Sequence, residues 1–183
     1  MHLIDTTLFY ASESGGVKRY LLAKHAWLRQ HTVLRHSVLV PGPCDGDDGD
    51  GIFSLASPVI PFTGGYRWPW KLKKWARQLE GMAPDLIETG DPYGLAWTAL
   101  DVGQRLRVPV VGFYHSDLQR FAGARLGDWC EPAVGQYVRR LYGEFKRVLA
   151  PSRIMADKLR ALGVQSSMTG RDYCVTPSNS ADP

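Results

Sequence analysis

The stretch "PDLIETGDPYGLAWTALDVGQRLRVPVVGFY", residues 84–114, decides the fold. Its opening, "APDLIET" (83–89), reads as a strand, and its close, "VPVVGFY" (108–114), has the continuous apolar character of a strand covered on both faces. Between them "DPYGLAWTALDVGQRL" reads as a helix with Asp91 as N-cap and Pro92 in the first turn. Leu95, Ala99, Val102 and Leu106 follow the i, i+4, i+7, i+11 spacing of one buried stripe. Strand, helix, strand with short connections is the crossover unit of a parallel sheet, nearly always right-handed.

Outward from this unit the pattern recurs. "HLID" (2–5) is a short strand, after which Val17, Tyr20, Leu21, Trp27 and Leu28 share a helical face that Lys24 interrupts. "HSVLVP" (36–41) is a further strand, followed by the loop "GPCDGDDGDG". Later, Val134, Tyr137, Val138, Leu141 and Phe145 repeat at helical spacing, and "RVLAPS" is a last strand. Ser152 then caps a helix carrying Met155, Leu159 and Leu162 that stops at Gly163. The fold class predicted is α/β: a Rossmann-like, doubly wound, mostly parallel sheet with helices on both faces. The domain is expected over residues 1–165. Residues 166–183, "SSMTGRDYCVTPSNSADP", lose the apolar period and read as an irregular or disordered tail.

Composition narrows the function. A chain of 183 residues with 44% apolar content suits one globular domain. Its 22 basic and 18 acidic residues give a net charge of +4, which admits anionic partners but lacks the dense basic clusters of nucleic-acid binders. No nucleic-acid partner is expected. Cys44, Cys130 and Cys174 are an odd set without C-x-x-C spacing, so neither a disulfide framework nor a zinc site is indicated. With no apolar run of membrane-spanning length and no signal-peptide pattern at the N-terminus, the expected location is the cytoplasm.

In a doubly wound sheet, ligands sit beyond the carboxyl ends of the strands. Four segments end there: "SESGG", "ETGDPY", "YHSD" and "APS". They bring Gly15, Gly16, Glu88, Asp91, His115, Ser116, Asp117 and Ser152 toward a single cleft. Glycines before a helix leave bare amides at the positive end of its dipole, a seat for a phosphate or diphosphate that Lys18 or Arg19 would reinforce. The alternative is a plain tight turn. Neither G-x-x-x-x-G-K-[ST] nor G-x-G-x-x-G occurs, which disfavours a nucleoside-triphosphate hydrolase or a nicotinamide dehydrogenase. His115 either donates to a sugar hydroxyl or phosphate, or is bonded locally at the strand end. Asp117 and Asp91 either accept from substrate hydroxyls or cap helices and turns, and Glu88 either faces the cleft or pairs with a cation.

Two other segments invite readings of their own. "CDGDDGDG" fails the calcium-loop register and lacks its closing Glu, so it reads as a solvated acidic turn and no metal is assigned. Residues 67–77 interleave Trp68, Trp70 and Trp75 with Arg67, Lys71, Lys73, Lys74 and Arg77. That pattern suits either an anionic membrane surface, with the protein peripheral to the inner face, or a helix whose tryptophans and Leu72 pack inward.

"LFYASESGGVKRYLLAKHAWL", "PDLIETGDPYGLAWTAL", "VPVVGFYHSD" and "VLAPSRIMADKLRALGV", in that order and spacing, resemble the N-terminal domain of the family-four retaining glycosyltransferases of the GT-B fold. The resemblance covers residues 1 to about 165. It implies an acceptor-binding half of a hexosyltransferase-type enzyme in glycan biosynthesis. The donor is a nucleotide sugar, used as substrate with no further cofactor, and the acceptor is a glycan, a lipid or a small molecule. By resemblance Gly15 and Gly16, with Lys18 and Arg19 beside them, approach the donor diphosphate; His115 contacts the transferred sugar. Residues 88–93, Glu88 and Tyr93 among them, face the acceptor. Where many members carry a histidine in that loop, this chain has Glu88. Beyond Gly163 nothing matches the family's donor domain, so these residues alone are expected not to complete the reaction. A different class of function remains beside this one: a non-catalytic module recruiting an acceptor or a membrane to a separate donor-binding subunit. A third is a phosphate-binding Rossmann enzyme of other chemistry.

Overall fold

The computed structural model describes residues 1–11, 15–164 and 167–168. Eight strands form one sheet: β1 (His2–Thr6), β2 (Arg35–Gly42), β3 (Gly46–Asp47), β4 (Ile52–Ala56), β5 (Leu86–Thr89), β6 (Val110–Phe113), β7 (Arg147–Ala150) and β8 (Ser167–Met168). Their order is β3-β4-β2-β1-β5-β6-β7-β8, and every pairing is parallel except that of β3 with β4. Among the described residues six α-helices accompany them: α1 (Gly16–His31), α2 (Leu72–Gly81), α3 (Gly94–Leu106), α4 (Leu118–Leu126), α5 (Glu131–Gly143) and α6 (Arg153–Ala161). The predicted class and its central crossover unit are both present. β3, β4 and α4 were not anticipated. Most of residues 166–183 lie outside the described residues, as do Ser12, Glu13 and Ser14; within the expected tail, Ser167–Met168 pair with β7.

Strand order fixes where a ligand belongs. From β1 the chain proceeds to β2 and β4 on one side, then returns to add β5, β6 and β7 on the other. The loops after β1 and β5 therefore part company at a topological switch point, leaving a crevice at the carboxyl edge.

Register explains why the two faces of the sheet differ. Ile4 lies beside Ile87, and Ile87 beside Val110, so these apolar residues share one face with Leu39 and Val148 and build the main core with Trp75 and Leu79 of α2, Leu95, Ala99 and Val102 of α3, and Val138 and Leu141 of α5. Their neighbours in sequence point the other way: Asp5 lies beside both Val38 and Glu88. That second face meets α1, where the buried apolar cluster comprises only Leu21, Val38 and Val40. Gly103 and Gly112 let elements approach closely. A Cβ on Gly112 would fall 2.7 Å from the Phe145 ring, and one on Gly103 would collide with Val110.

Several local expectations change in three dimensions. Asp91 is not the N-cap of α3, which starts at Gly94 after Tyr93; the Asp91 carboxylate is bonded to the amides of Leu8 and Tyr93 instead. Leu106, at the end of the predicted stripe, is exposed, and so is Trp27, because α1 buries Leu21 and His25. Of the tryptophans in residues 67–77 only Trp75 packs inward, while Trp68, Trp70 and Leu72 face solvent. Asp47 and Asp48 of the acidic turn accept from the amides of Gly49, Asp50 and Ile52.

Candidate functional site

Gly15 and Gly16 open α1, with Gly15 as its N-cap at φ −79°. Apart from its chain neighbours, a Cβ built on either residue meets no atom of the described residues within 4 Å. Neither a positive φ nor packing against the described residues therefore demands glycine here. Lys18 lies beside them, its Nζ donating to the Ala11 carbonyl at 3.2 Å and sitting 5.0 Å from the centre of the Tyr10 ring. Arg19 is exposed on the first turn.

The loops after β5 and β6 are tied together. His115 Nε2 donates to the Gly90 carbonyl, and Ser116 Oγ donates to His115 Nδ1 at 2.8 Å. That pattern describes a neutral ring, in keeping with burial, which pushes its pKa down against the opposing pull of Gly90. Phe9 meets the ring edge-on with centroids 5.2 Å apart. Asp91, fully enclosed, accepts from Leu8 N at 3.1 Å and from Tyr93 N at 3.1 Å, so it pins the loop after β1 to the loop after β5. Burial pushes its carboxyl up to about 7 despite those two donors.

Between these loops and α4 lies a mostly apolar groove of about 450 Å³, lined by Phe9, Pro92, Tyr93, Ser116, Asp117, Leu118, Arg120, Phe121 and Ala124. Tyr93, Ser116 and Asp117 thus come together as the sequence anticipates. Asp117 also caps α4, accepting from Arg120 N at 3.2 Å, and pairs with Lys158. Ser152 caps α6 through Met155 N at 3.3 Å and lies outside this groove. A second, more polar groove of about 630 Å³ over the ends of β2 and β4 includes Tyr10, Lys18, Asp47, Asp48 and Arg67. Sequence reasoning missed Phe9, Phe121 and the whole of α4; the signal available was Asp117 as a cap before Leu118 and Phe121 at i, i+3 spacing.

Glu88 does not line the groove. Its carboxylate takes Lys24 Nζ at 2.8 Å, and Asp5 takes the same ammonium at 2.9 Å. Although burial raises the Asp5 carboxyl, Lys24 and His36 outweigh it and hold its pKa low; burial and the Asp5 charge together raise that of Glu88. Lys24, which burial alone would depress, is kept firmly cationic by the two carboxylates. The chain of contacts continues from Asp5 to His36 Nε2 at 3.0 Å, from His36 Nδ1 to His25 Nδ1 at 2.9 Å, and from His25 Nε2 to the Asp50 carbonyl at 2.8 Å. These contacts link α1, β2 and the loop at Asp50 through buried polar groups.

Comparison with known proteins gives the family and the fold. A family model described as the glycosyl transferase 4-like domain matches residues 15–169. A GDP-mannose-dependent alpha-mannosyltransferase of Mycobacterium tuberculosis is 32% identical over 88 residues, 48% of this chain and 23% of that protein. Its namesake in Corynebacterium glutamicum is 27% identical over 81 residues, 44% of this chain and 20% of that protein. The aligned stretches thus span about a quarter or less of the curated relatives. Among solved structures, sucrose-phosphate synthase from Thermosynechococcus elongatus superimposes with a TM-score of 0.59 at 14% identity, covering 92% of this chain and 47% of that one. UDP-GlcNAc 2-epimerase from Methanocaldococcus jannaschii gives 0.53 at 12% identity, covering 90% and 43%. A synthase and an epimerase on one scaffold establish the fold and leave the chemistry to the site. The family model goes further than the fold, and by its match over most of the sequence this chain belongs to the glycosyl transferase 4-like domain family, with the architecture of the N-terminal half of a GT-B glycosyltransferase.

Proposed function

We propose that this domain is the acceptor-binding side of a retaining transferase that uses a nucleoside-diphosphate sugar, and that catalysis needs a donor-binding unit not contained in these residues. The observation that carries the reading is that Gly15 and Gly16 open α1 at its switch-point end, with room among the described residues where side chains would otherwise stand. As a sugar leaves its diphosphate, negative charge grows on the phosphate oxygens, and amides already aimed at that position stabilise it without reorganising. Lys18 and Arg19 add positive charge from the same turn. The groove lined by Phe9, Tyr93, Ser116 and Asp117 supports the acceptor role, offering apolar walls with a few polar groups to orient a hydroxyl. His115 keeps the loops after β5 and β6 in register, and its Nε2–H is available to a sugar hydroxyl that displaces the Gly90 carbonyl. Asp91 and Ser152 act as positioning residues through backbone bonds, and Glu88 through Lys24.

The names of the mannosyltransferase relatives make GDP-mannose the first donor to try. The test uses pyrophosphate as probe, with equilibrium dialysis of the 183-residue chain and of Gly16→Val. Because the Gly16 position is open, the variant should fold with unchanged melting temperature and bind pyrophosphate roughly tenfold or more weakly, the loss of a charge-assisted bond. Equal binding by the two proteins would remove the loop from the site. Incubated with GDP-mannose and a panel of acceptors, the chain alone should show no turnover. Sustained transfer would end the claim that a second unit is needed.

A further inference from the structure

The segment between β4 and α2 carries a feature that the sequence did not announce. Residues 59–67 form a small hairpin: Val59 bridges Arg67, Ile60 N donates to Tyr66 O at 2.7 Å, and Thr63 Oγ1 donates to Ile60 O at 2.7 Å. Its base is clamped by Arg67 Nη1 on Ser57 O at 2.7 Å and Trp68 N on Pro58 O at 2.9 Å. At the tip Phe62 combines two unfavourable properties: a left-handed φ of 61° and a fully exposed ring, at 107% of reference. Backbone strain spent on presenting a phenyl ring to water points to something that covers the ring. Trp68 and Trp70 follow, both exposed.

Charge identifies the covering partner. Residues 57–77 contain no acidic residue and five basic ones, Arg67, Lys71, Lys73, Lys74 and Arg77. Lys74 pairs with Asp45, whereas Lys71, Lys73 and Arg77 are exposed and make no ion pair among the described residues. A phenyl and two indoles beside unpaired ammonium and guanidinium groups match a bilayer interface: rings enter at headgroup depth while cations meet anionic lipid. We propose that the hairpin tip at Phe62, with Trp68, Trp70 and the start of α2, seats this domain on an anionic membrane surface. The hairpin also touches the apolar groove, Tyr66 packing edge-on against Phe9 at 5.9 Å and Trp68 against Tyr93 at 6.2 Å. A lipid-borne acceptor would reach the groove from that side, a consequence that rests on the proposed function; the seating itself does not.

Sedimentation of the 183-residue chain with vesicles tests the seating without any need for turnover. Vesicles of phosphatidylcholine mixed with phosphatidylglycerol should carry the protein down, and phosphatidylcholine alone should not. Because each position is exposed, Phe62→Ser with Trp70→Ser should keep the circular dichroism spectrum and lower partitioning by roughly tenfold or more. Lys71→Gln, Lys73→Gln and Arg77→Gln should each lower it by about fivefold. Absence of sedimentation, equal sedimentation with both lipids, or variants indistinguishable from the parent would each overturn the proposal. So would vesicle-free dimerisation that Phe62→Ser abolishes, which would assign the face to a second copy of the chain, or a preference for oligonucleotides over vesicles.

Discussion

Lys24 shows how a residue that breaks a pattern in one dimension completes one in three. On the helical wheel it interrupts an apolar face; in the structure it is the cation between Asp5 and Glu88, which adjacent strands place side by side. Lys24→Met would leave two buried carboxylates facing each other and should cost about 3–5 kcal/mol in urea unfolding. Glu88→Gln should cost clearly less, since Asp5 still pairs with Lys24. Asp91 supplies a pH test. Folded, its carboxyl titrates near 7; unfolded, it should return to the ordinary 3.8. Between those values the unfolded chain has already lost a proton that the folded chain retains, so this contribution to stability is complete below about pH 4 and lost as pH rises through 7. At about 1.4 kcal/mol per unit, the loss is on the order of 4 kcal/mol. Asp91→Asn should flatten that part of the stability profile, and an unchanged slope would contradict the burial argument. The sequence named Asp91 and Glu88 as edge residues, yet their partners, Leu8 and Lys24, come from elements far away in the chain.

At the scale of elements, strands with continuous apolar runs and helices with a buried apolar stripe were readable, and those depending on other elements were not. Ser152 and Gly163 delimit α6 as expected, Ser152 bonding the Met155 amide. Ser152→Ala should cost about 1 kcal/mol in thermal or urea unfolding without altering pyrophosphate binding. By contrast β4, "IFSLA", escaped notice because it is a short edge-side strand whose ladder is supplied by β2 and β3. α4 escaped because Phe121, Ala124 and Leu126 face solvent and leave no buried stripe; only Asp117 marks its start. Close approach of elements also depends on positions that carry no pattern. Gly112→Ala sets a methyl against Phe145 and should cost about 1–3 kcal/mol, read as a lowered urea midpoint.

Across the whole molecule the two faces of the sheet are unequal. One carries the large core of α2, α3 and α5; the other holds α1 by Leu21, Val38 and Val40 together with the chain of contacts from Glu88 to Asp50. Hydrogen exchange should therefore find α1 less protected than α3 in the parent protein, and less still in Lys24→Met. Equal protection of the two helices would show that the polar chain matches the apolar core in strength. This asymmetry bears on the proposed function, in which the amides of Gly15 and Gly16 at the start of α1 hold the diphosphate. The sequence by itself determined the class of fold, the switch-point edge and most of the residues near it, because apolar period, caps and glycines act within a few residues of themselves. Only the tertiary structure decided which of those residues line the groove, which are consumed in holding loops and helices, and that Phe62 is exposed to solvent. Those outcomes depend on strand register and on partners distant in the chain, and no local pattern records either.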